Sequence, residues 1–128
     1  MSIGKEFEDF RARFRSCAII AFVDLTTAMV LAADTRQQIT QEKLDDLCEL
    51  AFQGLTGRLS TRVKHEFSAY ANISIHKCVV GHEDRIECFL RVPEPAGEAL
   101  CMVFEPDCDL DTVIAAGSAL LKRTLVDT

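Results

Sequence analysis

Ile3, Phe7, Phe10 and Phe14 recur at intervals of four, three and four, the period of a helix with one apolar face. The polarity then drops sharply: residues 16–34 read SCAIIAFVDLTTAMVLAAD. A membrane-spanning helix needs about 20 apolar residues with few charges. Asp24, Thr26 and Thr27 interrupt this run and leave two pieces of strand length, residues 17–23 and 28–33. Ile19, Ile20, Val23 and Val30 favour extended backbone. The short polar side chains between the pieces suit a tight reversal. The stretch therefore predicts a β-hairpin. Its strands are almost continuously apolar rather than alternating, which predicts cover on both sheet faces.

Thr40 is an N-cap for a second helix with Glu42 in its first turn. Leu44, Leu47, Cys48, Ala51, Leu55 and Leu59 continue its period, and Gly54 and Gly57 weaken its end, so it is expected to stop between Gly57 and Thr61. Three strands should follow. Residues 72–80 place Ile73, Ile75 and Val79 on one face, residues 85–92 alternate through Ile86, Cys88, Leu90 and Val92, and residues 99–105 are mostly apolar. Gly81 to Asp84 and Pro93 to Gly97 are the turns between them. Asp109 or Asp111 caps a last helix with the stripe Val113, Ile114, Gly117, Leu120, Leu121 and Leu125. The order is αββαβββα, one α+β domain over residues 1–128.

This order resembles the roadblock family, the dynein light-chain-like proteins of the profilin-like and longin-like superfamily. The resemblance rests on the aspartate-terminated strand and its apolar return, AIIAFVDLTTAMVLAAD, on the long helix after it, and on the closing ALCMVFEPDCDLDTVIAAGSALL. Leu25-Thr26-Thr27 stands where family members often carry Gly after the turn aspartate. The resemblance implies a five-stranded antiparallel sheet with the middle helix on one face and the terminal helices on the other. It implies a non-enzymatic, cytoplasmic homodimer that acts as a platform for a small GTPase or signalling complex, with no cofactor. The alternative is a small-molecule sensor whose cavity on the sheet is lined by Cys88, Cys101 and Met102.

In the implied topology residues 72–80 form a sheet edge, a template for pairing with a second chain. Ile73, Ile75 and Val79 do not guard it, and Lys77 alone does. On a helical wheel the apolar arc of the middle helix is about 140° wide, with Phe52 on it and Leu50 extending it, wider than one sheet contact needs. Leu50, Phe52, Ile73, Ile75, Lys77 and Val79 are therefore the expected dimer interface.

Twenty acidic against 14 basic residues give a net charge of −6, which disfavours nucleic acid as a partner. The N-terminal residues lack a secretory pattern, so the six cysteines are expected as free thiols in a reducing compartment, and no membrane insertion is expected. His76, Cys78 and His82 share strand parity and suit zinc chemically, but structural zinc sites usually bring close paired ligands and no CxxC is present. Asp107, Asp109 and Asp111 mimic a calcium loop, yet Thr112 and Ser118 stand where that loop needs Gly and Glu. Ser118 lacks a nucleophile elbow, and Gly54 to Gly57 is too short to cradle phosphates. No catalytic, cofactor or metal site is expected.

Overall fold

The structure, a computed structural model, describes residues 2–66, 75–92 and 97–126. Its elements are α1 (Ile3–Arg13), β1 (Cys17–Asp24), β2 (Met29–Thr35), α2 (Gln41–Leu55), α3 (Arg58–Glu66), β3 (Lys77–Gly81), β4 (Ile86–Arg91), β5 (Glu98–Phe104) and α4 (Leu110–Val126). The five strands form one antiparallel sheet in the order β2-β1-β5-β4-β3. The expected α+β architecture is present, with one helix more than the sequence pattern indicates.

Local chemistry sets the ends of the helices. Ser2 accepts the Lys5 N–H at 3.3 Å, and Thr40 Oγ1 accepts that of Lys43 at 3.2 Å. Of the two aspartates considered for α4, Asp109 is the cap, accepting the Thr112 N–H at 3.3 Å. Where the sequence pattern predicts a single helix running on through Leu59, α2 closes at Leu55. Both Thr56 and Gly57 donate their N–H to the Phe52 carbonyl, at 2.8 and 2.7 Å. Gln53 Oε1 then accepts the Arg58 N–H at 3.0 Å and starts α3. A β-carbon on Gly57 would lie 2.8 Å from that same Oε1, so a side chain there would displace the Gln53 cap. Leu59 belongs to α3 and is exposed, not part of the α2 stripe.

The sheet separates two apolar cores. On one side Phe7 and Phe10 of α1 and Val113, Leu120 and Leu121 of α4 pack on Ile20, Phe22, Cys88, Leu90, Leu100, Met102 and Phe104. On the other, Leu47, Cys48, Ala51 and Leu55 of α2 pack on Ala21, Val23, Phe89, Ala99, Cys101 and Val103. Arg11–Asp34 at 2.7 Å ties α1 to β2, and Arg123–Glu6 at 3.4 Å ties α4 to α1. β1 is buried on both faces as its composition predicts, but β2 is not. It is an edge strand, and Met29 and Leu31 are exposed on it.

The reversal between β1 and β2 is built by Asp24, whose Oδ1 accepts the N–H groups of Thr26 at 2.9 Å and Thr27 at 3.4 Å. Leu25 is buried beneath it and donates its N–H to the Gly97 carbonyl at 2.9 Å. The turn closes through Ala28, which holds a left-handed φ of 58°.

Candidate functional site

Two features set the α2 side of the molecule apart. The first is a groove of about 410 Å³ beside α2. Ile19, Val103 and Glu87 floor it from the sheet, Leu47 and Leu50 line it from the helix, and Ile39 closes it. Charges of both signs ring it: Lys43 with Asp46 on α2, Arg85 with Glu87 on the sheet. Leu50 is 46% exposed along this groove. Glu87 is only 5% exposed. It is satisfied by His82, whose Nε2 lies 2.6 Å from Oε1, and by Arg85 Nε at 3.7 Å from Oε2. A buried carboxylate needs such partners to offset its lost hydration.

The second feature is the edge of β3, which among the described residues pairs only with β4. Its register against β4, from Lys77 opposite Leu90 to Gly81 opposite Ile86, contains no shift. Just beyond its two ends, Arg91 donates its N–H to the His76 carbonyl at 2.9 Å, and His82 donates to Arg85 at 2.8 Å. Antiparallel hydrogen-bonded pairs alternate along a ladder. Even-numbered residues of β3 therefore bond β4, while Lys77, Val79 and Gly81 turn their backbone groups outward. β2, the opposite edge, has a bulge: Val23 pairs with Val30 and Phe22 with Ala32, leaving Leu31 unpaired. Bulges twist an edge away from pairing. Of the two edges, β3 is the regular one.

Leu50 and Val79 are exposed, Val79 at 42%. Lys77 is also exposed, on the β3 edge. Phe52 is half-buried against the α2-side core. Ile73 and the rest of residues 72–74, expected to begin the third strand, lie outside the described residues. Ile75 does not share a face with Val79. The strand begins only at Lys77, so period-two parity does not extend back to Ile75, which packs with Cys78 and Val80 in the α2-side core. Val79 faces the other side, opposite Cys88.

The three residues weighed as zinc ligands are divided. Cys78 packs under α2, His82 pairs with Glu87, and His76 lines a cleft beside α4. Among the described residues no three His, Cys, Asp or Glu side chains are grouped to hold a metal ion. Cys88, Cys101 and Met102 are fully buried in packed cores and line neither groove nor cleft. Desolvation raises the pKa of all six thiols, to about 12 for Cys17 and Cys88. Protonated thiols are poor nucleophiles and poor metal ligands. No helix among the described residues is long and apolar enough to cross a membrane.

Sequence reasoning missed Glu87 and the groove. A lone Glu in an apolar strand was the available signal, since charged residues are rarely buried without a partner.

No protein-family model and no curated protein matches the chain. Solved structures do. The roadblock/LC7 domain from Streptomyces avermitilis superposes with a TM-score of 0.79 at 12% identity, covering 100% of both chains. MglB from Myxococcus xanthus gives 0.70 at 12% identity, covering 98% of this chain and 96% of that one. The gliding protein MglB from Thermus thermophilus gives 0.66 at 16%, covering 91% and 80%. Strand order, two-sided helical cover and these superpositions together establish that the chain has the roadblock fold.

Proposed function

We propose that this chain is a non-enzymatic platform that pairs with a second copy of itself and regulates or scaffolds a small GTPase or a signalling complex. The observation that carries the reading is the regular, outward-facing edge of β3 next to an α2 face that is apolar beyond what its own sheet covers. Pairing of β3 with its copy would extend the sheet across a two-fold axis, an isologous contact. Ile75 and Lys77 would flank that contact, Val79 would lie in it, and Ile73 belongs to the same proposed interface. Leu50 and Phe52 would bring the two α2 helices into it, and the grooves beside them would form the surface offered to the partner. A structure of MglB is described with a tetrameric arrangement, so self-association occurs on this fold. A cytoplasmic location and the absence of a cofactor belong to the same proposal.

Light scattering tests it. The wild type is expected at twice the chain mass at micromolar concentration. Val79→Pro is expected to be a folded monomer, because position 79 donates outward and proline at an edge removes that donor without touching the β4 ladder. A wild type that remains monomeric at several hundred micromolar would refute self-pairing. Added GTPase candidates should then bind wild type and not Leu50→Asp.

A further inference from the structure

On the other side of the sheet, α4 does not reach over β3, and a cleft of about 240 Å³ opens between them. Lys77 of β3, Arg91 of β4, Ser118 and Lys122 of α4, and His76 line it, over a floor that includes Leu90 and Leu121. This chain has six more acids than bases. Even so, no acidic side chain among the described residues lines this cleft, whereas the α2 groove is lined by Asp46 and Glu87 as well as by Lys43 and Arg85. Elsewhere Lys5, Arg11, Arg36, Arg85 and Arg123 form ion pairs with acids. Among the described residues Lys77 and Lys122 form none. Arg91 is anchored, its Nε donating to the Ile75 carbonyl at 2.7 Å.

We infer that this cleft is a binding site for the phosphoryl group of a small molecule. Lys77 on β3 and Lys122 on α4 bring two cations to it from different elements, which suits a tetrahedral anion that accepts hydrogen bonds from several directions better than a planar carboxylate. Ser118, one turn before Lys122 on the same helix, adds a neutral donor. The buried leucines beneath lower the local dielectric and strengthen each charged contact. The volume is below the roughly 300 Å³ at which whole drug-sized ligands are held, so it accommodates the phosphoryl group while the rest of the molecule lies outside. The site belongs to a single protomer and does not depend on β3 self-pairing.

The test is a titration of the isotope-labelled full chain with inorganic phosphate at constant ionic strength, chloride replacing phosphate in the control. Saturable amide shifts at Lys77, Ser118 and Lys122 with millimolar affinity are expected. Lys122→Glu should weaken binding at least tenfold, and Lys77→Gln severalfold. Lys43→Gln, in the balanced groove, should bind as wild type. Lys77 and Lys122 are exposed, so both variants should keep the wild-type circular dichroism spectrum. Glucose 6-phosphate should compete at the same residues. Shifts that rise linearly without saturation, or equal losses in Lys122→Glu and Lys43→Gln, would overturn the assignment.

Discussion

Cys17 and Cys88 are 1% and 0% exposed, and desolvation holds both thiols protonated with pKa values of about 12 against an ordinary 9.0. A folded-state pKa above the unfolded one means that the unfolded chain loses its proton first. The stability from these neutral, buried thiols is complete below pH 9 and is lost between pH 9 and 12. The slope should approach about 1.4 kcal/mol per pH unit for each thiol inside that window. Urea midpoints should fall more steeply above pH 9 for the wild type than for Cys17→Ala and Cys88→Ala; parallel curves would contradict the burial argument. Ser60 presents the opposite situation. It is 1% exposed and its hydroxyl has no hydrogen-bond partner among the described residues. Ser60→Ala removes an unsatisfied polar group and gains helix propensity, so a stabilisation of roughly 1 kcal/mol is expected in chemical denaturation.

The contact between α2 and β3 depends on a glycine. A β-carbon on Gly54 would lie 2.6 Å from Cys78 Sγ and 3.2 Å from Cys78 Cβ. Gly54→Val forces the helix off the strand, and overpacking of this kind costs about 1–3 kcal/mol. Cys78→Ala in the same chain should recover part of that loss, because it deletes the sulfur in the way. A Gly54→Val protein as stable as wild type would show that α2 does not approach β3 this closely. The same two elements show what the sequence makes legible. The helical period of Leu47, Cys48, Ala51 and Leu55 and the Thr40 cap are local signals, and α2 starts where they place it. Its end is less legible, because Leu59 keeps the period while Gln53 and Gly57 restart the helix with a side-chain cap that hydropathy does not register. The edge status of β3 follows from topology, but its starting point does not: Ile75 has strand character and nevertheless packs inward ahead of the strand. The groove beside α2 joins Ile19, Leu50, Glu87 and Val103, residues brought together only by strand order. No spacing along the chain announces it.

At the scale of the whole molecule, β2 and β3 are the outer strands of the sheet among the described residues, and the two edges are treated differently. A bulge at Leu31 breaks the regularity of the β2 edge, whereas β3 presents an unbroken ladder with Val79 42% exposed. If β3 pairs with its copy, folding and association are linked, because only the folded chain has that edge. Anything that binds the native state alone raises its apparent stability in proportion to the logarithm of its concentration. Here the ligand is the protein itself. Each tenfold increase in concentration adds about 1.4 kcal/mol per dimer at the midpoint. For a folded unit of this size that is about 2–4 °C in Tm. Wild-type Tm should therefore climb steadily when calorimetry is run over a hundredfold concentration range. Val79→Pro should melt at one temperature throughout, equal to or below that of the most dilute wild type. A bulge transplanted to the other edge should act in the same way: one residue inserted after Val79 should abolish the concentration dependence and leave both apolar cores intact. A wild-type Tm that stays constant over the hundredfold range would mean that the β3 edge remains open in solution, and the platform would then have to form with a different chain on that strand.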